Sequence, residues 1–411
     1  MHDLPTPPLW TIAPFAGILL SIAVIPLFAH HFWERNKNKA LIALFWSIPT
    51  LIYFHSNFSP LIPTLKDYLS FLCLIGSLFI ISGGISVTGD LRGKPWINVV
   101  FLAVGAVAAN LIGTTGASML LIRPFLKTNR ERKKTWHQTV FFIFIVSNAG
   151  GLLTPLGDPP LFLGYLNGVP FQWTLSLLPE WATVVSILLL VFFIWDSRSY
   201  RRESPESIRY DESNLEAIRL VGWRNFIFLA GVVGAVFLPS PWRELAMVVC
   251  SLLSFLVTPK EIHSHNRFSF SPILEVAILF AGIFITMTPT LEILVQRGGE
   301  LNLVHPWQFF WTSGILSSFL DNAPTYLTFF HLAKGLHLSG GVAGVPESLL
   351  KAISLGSVLM GANSYIGNGP NFMVKAIADE QGVKTLHFGA YLLMAVIVLF
   401  PIYFLLTWIF L

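Results

Sequence analysis

The chain has 411 residues, of which 54% are hydrophobic and 12% charged, with 35 Phe, 13 Trp and a net charge of +4. A soluble domain normally carries about 25% charged residues, so this composition excludes an ordinary water-solvated surface and predicts a multi-pass protein in lipid. It also excludes a nucleic-acid binder, which would need a basic face on a soluble fold; the expected partners are the bilayer and small solutes.

In chain order, spanning segments are predicted at 9–29, 41–55, 68–88, 137–166, 178–193, 226–238, 241–257, 273–294, 349–376 and 386–411. Several approach the roughly 20 apolar residues that a spanning helix needs. Two further apolar stretches, 96–125 and 307–333, are each too long for one span and break in the middle. Met1 to Pro8 carries no Lys or Arg, whereas Arg35, Lys37 and Lys39 follow the first apolar run. That charge order predicts a retained helix with its N-terminus outside. Cys73 and Cys250 lie inside apolar runs without a partner at metal spacing and read as small packing residues.

Cytoplasmic loops are enriched in Lys and Arg. The basic groups Arg35/Lys37/Lys39, Arg92/Lys94, 127–134, 198–224, Lys260/Arg267 and Lys375/Lys384 hold most of the 26 Lys and Arg. Two of these groups flank 96–125, which must then enter and leave on one side, as a re-entrant hairpin open to the cytoplasm. The same bookkeeping makes 307–333 a hairpin open to the outside. The predicted fold is an all-α polytopic membrane protein of two inverted-topology repeats, each with a re-entrant hairpin and a broken transmembrane helix. The N-terminal repeat is 1–195, with its hairpin at 96–126. A cytoplasmic linker occupies 196–224, and the C-terminal repeat is 225–411, with its hairpin at 306–335. Both termini are expected outside an inner or cell membrane.

The halves also echo in sequence. Leu156-Gly157-Asp158-Pro159-Pro160 matches Ile366-Gly367-Asn368-Gly369-Pro370, and the stretch 76–80 resembles 282–286. Paired interrupted helices in inverted repeats point to a secondary transporter with its site at the repeat interface.

Four motifs carry that site. The first hairpin turns at Asn110 to Ser118, and the next helix breaks between Ser147 and Pro160. The second hairpin turns at Asp321-Asn322-Ala323-Pro324-Thr325, and its following helix breaks between Gly361 and Asn371. Non-helical backbone at membrane depth survives only where it lines a protein or water cavity. Its carbonyls then suit a cation and its N–H groups an anion. Each break has a plainer reading as a Gly/Pro kink with Ser, Thr and Asn as interhelical glue, but four in matching positions exceed what kinks alone explain.

Asp158 precedes Pro159 and reads as the N-cap of a half-helix. A carboxylate near the bilayer centre nevertheless costs roughly 2.5–3.5 kcal/mol, and the matching residue Asn368 would cap without that cost. Asp321 is the other acidic residue expected at such depth, with capping as its plainer role. His331 is expected to make a buried polar contact, and His137, His263 and His265 to be mostly solvated at cytoplasmic boundaries. No His/Glu metal motif and no nucleophile with a base at usable spacing are found, so neither an enzyme nor a bound cofactor is expected.

At these motifs the chain resembles a known group. Ile112-Gly-Thr-Thr-Gly-Ala-Ser-Met-Leu-Leu-Ile-Arg-Pro124 and Asn148-Ala-Gly-Gly-Leu-Leu-Thr-Pro-Leu-Gly-Asp-Pro-Pro160 resemble the ion transporter superfamily. Within it they look most like NhaD-type sodium/proton antiporters and their citrate-transporter and arsenite-permease relatives. The resemblance covers nearly the full chain and implies a homodimer with a scaffold domain, a mobile transport domain and elevator-type movement. Dicarboxylate members carry Ser-Asn-Thr at both tips; here the tips read Gly113-Thr114-Thr115 and Asp321-Asn322-Ala323, which weakens that substrate assignment.

The leading expectation is sodium/proton antiport, with Na⁺ as the transported ion and Asp158 binding either Na⁺ or H⁺. Burial favours the protonated acid and a bound cation the carboxylate, so competition couples the two fluxes. Asn148, Thr154 and carbonyls around Gly150–Gly157, Gly151 among them, would complete an oxygen shell, which Thr114 and Thr115 close from the hairpin. Asp321, Asn322, Thr325, Asn363, Ser364 and Asn368 form a candidate second, pseudo-symmetric cation site or proton path. Na⁺- or H⁺-coupled uptake of citrate or a dicarboxylate, and arsenite permeation, stay open as alternatives.

Overall fold

The computed structural model describes residues 6–206, 216–338 and 340–411. Among the described residues about 75% are helical, and seven helical stretches are long and apolar enough to cross a membrane. Together with the family assignment given below, they make it an all-α, multi-pass integral membrane protein.

One layer is built from α1 (Ile12–Phe28), α2 (His30–Trp33), α3 (Asn36–Tyr53) and α4 (Leu61–Gly83). After the short strand β1 (Ser86–Asp90), the chain enters α5 (Pro95–Thr128), α6 (Trp136–Ile145), α7 (Pro159–Leu166) and α8 (Leu178–Tyr200). The second half begins with β2 (Glu216–Val221), α9 (Asn225–Ala235), α10 (Trp242–Val257), α11 (Lys260–His265) and α12 (Ser271–Arg297). It ends with α13 (Pro306–Ser317), α14 (Asn322–Lys334), α15 (Glu347–Leu359), α16 (Gly369–Glu380) and α17 (Phe388–Phe410).

α12 packs against α1, α3 and α4, and α10 packs against α4 and α9, so the first layer takes helices from both halves. Gly282 makes this close approach possible: a Cβ there would stand 2.9 Å from that of Ala43. Exposed Leu20, Phe45, Leu256, Phe404 and Trp408 repeat around the perimeter. A soluble monomer rarely tolerates apolar surface on that scale, whereas lipid requires it.

α5 is a hairpin. As one straight helix its 34 residues would extend about 51 Å. Instead Asn98 donates to the Asn129 side chain at 2.8 Å, and the Phe101 and Phe125 rings lie 5.4 Å apart. The reversal falls at Gly113, whose φ of 76° and ψ of 155° lie in a region that only glycine occupies without strain. α13 and α14 fold back likewise, with the Phe309 and Phe329 rings 6.2 Å apart. Each hairpin is followed by an interrupted helix. α6 gives way to a 3₁₀ turn, Ala149–Leu153, before α7, and α15 to a 3₁₀ turn, Met360–Asn363, before α16.

Two expectations are corrected. The predicted span 68–88 ends at Gly83, and residues 86–90 leave as a β-strand that pairs antiparallel with 216–221, from Ser86↔Val221 to Asp90↔Glu216. Two glycines end the helix, and the β-branched Ile85, Val87 and Thr88 suit a strand; the periodicity of an apolar run does not reveal where its helix stops. α8 runs to Tyr200, into the first residues of the expected linker. His137, expected to be solvated, is 1% exposed and lies 2.7 Å from Asp196, itself fully buried. Asp196 and Glu180, near the two ends of α8, are buried as well, the first beside Arg132 at 2.7 Å and the second beside Lys351 at 2.7 Å. Each of these charges has a partner far away in sequence, which is why composition and local pattern leave it looking interfacial.

Candidate functional site

The two helix breaks and two hairpin tips meet in the interior, and their bonding is repeated. Thr154 donates to the Asn110 carbonyl at 2.5 Å and accepts from Gly157 N–H at 3.1 Å. Ser364 does the same with the Ser318 carbonyl, at 2.5 Å, and with Gly367 N–H, at 3.1 Å. Glycine is required at each break because the chain doubles back on itself. A Cβ on Gly157 would stand 2.2 Å from the Gly151 carbonyl oxygen, and one on Gly367 would stand 2.6 Å from that of Gly361.

By this correspondence Thr114 and Asn322 occupy equivalent places at the two tips, and both turn to the same group. Thr114 Oγ1 donates to Asp158 Oδ1 at 2.8 Å, and Asn322 Nδ2 donates to Asp158 Oδ2 at 2.6 Å. Asn368, the counterpart of Asp158, adds a longer contact of 3.3 Å to Oδ1. Asp158 is 1% exposed, so these neutral donors replace water around it. Among the described residues no Lys, Arg or His pairs with it.

Asp158 and Asn368 both stand at N-cap positions, yet neither side chain makes a capping bond. Proline supplies the reason. A cap side chain bonds to the second or third helical N–H; Pro160 and Pro370 have none, and the N–H groups of Leu161 and Asn371 go to the Asp158 and Asn368 carbonyls at 3.1 and 3.0 Å. Both side chains are released into the centre. Asp321, by contrast, does cap: its Oδ1 accepts from Ala323 N–H at 3.0 Å.

The remaining predicted residues are placed as follows. Asn148 donates to the Ile143 carbonyl at 2.8 Å and to Asn371 Oδ1 at 2.7 Å, and joins the centre by accepting from Asn368 at 3.1 Å. Gly151 packs against Thr114, where a Cβ would meet its methyl group at 2.6 Å. Thr115 lines a cavity of about 30 Å³ beside Asp158, with Leu78, Gly157 and Phe162. Thr325 bonds back to the Asp321 carbonyl at 2.9 Å. Asn363 donates to Ser318 Oγ at 2.8 Å and accepts from Tyr403 OH at 3.2 Å. Asn322 and Asn368 therefore gather at Asp158, while Asp321, Thr325 and Ser364 bond within their own tip and break, and Asn363 bonds to Ser318 and to Tyr403 of α17. Sequence reasoning missed Asn371, which donates to the Gly361 and Ser364 carbonyls, both at 2.8 Å, and receives Asn148. Its signal was available: it stands where the first half has Leu161.

Membrane-crossing helices surround a buried polar centre built from broken helices, an architecture that suits a multi-pass membrane transporter. A family model, CitMHS_2, described as "Putative citrate transport", matches residues 4–411, and the chain belongs to that family, within the ion transporter superfamily. A comparison with curated proteins finds no match.

Proposed function

We propose that this transporter is a sodium/proton antiporter in which Na⁺ and H⁺ compete for the Asp158 carboxylate. The observation that carries the proposal is the convergence on Asp158 of both hairpin tips and the second helix break, all with neutral donors. A buried carboxylate surrounded by partial positive charge, but no full one, keeps an unfilled demand for a cation. Charge-assisted hydrogen bonds hold its geometry without neutralising it, so a proton or a small hard cation can complete the site in turn. Asn322 Oδ1 is buried without a hydrogen-bond partner next to the carboxylate, and it supplies a second oxygen of the kind Na⁺ prefers. The adjoining cavity of about 30 Å³ is the size of one water molecule. Elevator-type movement and a homodimer, implied by the superfamily resemblance, belong to the same proposal.

The family description favours a second reading, cation-coupled citrate uptake. Asp158 would then hold the coupling cation while the carboxylates of the substrate bind elsewhere, because a tricarboxylate neither fits the small cavity nor suits an acidic centre. Everted vesicles under an imposed ΔpH separate the two. Sodium-dependent dissipation in the wild type, lost in Asp158→Asn, is expected for antiport; normal exchange in that variant would sink the competition mechanism. Gradient-driven accumulation of labelled citrate in proteoliposomes, with no sodium-dependent proton movement, would establish the second reading.

A further inference from the structure

A second cavity, of about 500 Å³, lies between the start of α6 and the end of α8 and shares no lining residue with the Asp158 cavity. Lys134, Arg198 and Arg202 line it, and no Asp or Glu does. Among the described residues none of these three cationic groups forms an ion pair or side-chain hydrogen bond. The nearby carboxylates are already engaged: Asp196 pairs with Arg132 and His137, both at 2.7 Å, and Glu203 accepts from the Lys133 N–H at 3.2 Å.

Below the cations the wall becomes aromatic and then aliphatic. Trp136 and Trp195 meet edge to face, 5.6 Å apart. Arg198, Ile194 and Leu190 follow one another at four-residue spacing on one face of α8, and Ile194 and Leu190 are exposed. The stripe from Arg198 to Leu190 covers about 12 Å along the helix. Unpaired cations, an indole pair and an exposed aliphatic strip thus succeed one another in the order of a phospholipid's phosphate, ester region and acyl chain. Basic pockets between spanning helices hold anionic head groups in this way. A free phosphate would use the cations but neither the indoles nor the strip.

We propose that this cavity binds an anionic phospholipid, with its phosphate between Lys134, Arg198 and Arg202 and an acyl chain along Ile194 and Leu190. The test uses the delipidated full chain in detergent. Phosphatidylglycerol should raise the unfolding temperature, whereas phosphatidylcholine and millimolar inorganic phosphate should not. The triple variant Lys134→Gln/Arg198→Gln/Arg202→Gln should lose the lipid shift, and Arg35→Gln/Lys37→Gln/Lys384→Gln should keep it. An equal shift with phosphatidylcholine, a full shift with inorganic phosphate alone, or a shift retained in the triple variant would overturn the proposal. Should the triple variant not fold, Arg202→Gln alone, read by lipid retention in native mass spectrometry, is expected to bind about fivefold more weakly, the equivalent of one phosphate contact near the membrane surface. Unchanged retention in that variant would equally overturn it.

Discussion

Asn322 Nδ2 lies 2.6 Å from Asp158 Oδ2 across 164 residues of sequence, so the tip of one hairpin is bonded to the helix break that follows the other. Thr114 Oγ1 holds the opposite oxygen at 2.8 Å. The carboxylate is therefore gripped from both halves of the chain, and any movement of one tip alters its field.

Asn322→Ala removes the amide oxygen proposed as a Na⁺ ligand together with one charge-assisted donor, an interaction of about 1.5–3 kcal/mol. The expected result is a roughly 10- to 100-fold weaker apparent Na⁺ affinity in ΔpH-dissipation assays, with folded yield preserved. An unchanged Na⁺ dependence would remove Asn322 from the site.

Much of this arrangement was legible in the residues. Asp158 against Asn368 announced an asymmetric charge, and two apolar stretches too long for one span marked where the chain doubles back. The release of both side chains from capping was also encoded, in Pro160 and Pro370, but needs the whole capping geometry to be read. Other features were not legible locally. The contact of His137 with Asp196 joins different helices, and the gathering of Asn322 and Asn368 around Asp158 depends on how two halves dock. Hydropathy records that a segment is apolar, not which buried charge another segment will bring to it.

Gly157→Ala and Gly367→Ala should each destabilise the protein by about 1–3 kcal/mol, the usual cost of overpacking, because the added methyl would meet backbone oxygens at 2.2 and 2.6 Å. Gly369→Ala, in the same break, meets nothing within 4 Å, and its stability should change by no more than about 0.5 kcal/mol. Thermal unfolding in detergent compares the three; equal behaviour would show that the breaks are loosely packed.

Asp196→Ala strips Arg132 and His137 of their common partner inside a buried cluster that also takes in Gln138 at 3.2 Å and Asn98 at 3.0 Å. Leaving one member of a buried pair alone costs about 3–5 kcal/mol. A large fall in unfolding temperature is expected, partly recovered in Asp196→Ala/Arg132→Met, which removes the stranded charge. No recovery would mean that Asp196 acts through its other hydrogen bonds.

Exchanging the charge between the two breaks asks whether the centre needs only one carboxylate or needs it at Asp158. Asn368 Nδ2 faces three acceptors, the Ser147 carbonyl at 3.2 Å, Asn148 Oδ1 at 3.1 Å and Asp158 Oδ1 at 3.3 Å. An aspartate there would set a carboxylate against the first two and take away their donor. Asp158, in contrast, faces the donors Thr114 and Asn322. Buried groups left unpaired cost about 1–3 kcal/mol each, so Asp158→Asn/Asn368→Asp should unfold at lower temperature than Asp158→Asn alone. It should also fail to recover sodium-dependent proton movement in vesicles. Recovery would show that the donors re-aim freely, and that the asymmetry between the halves is one of sequence rather than of the field each break creates.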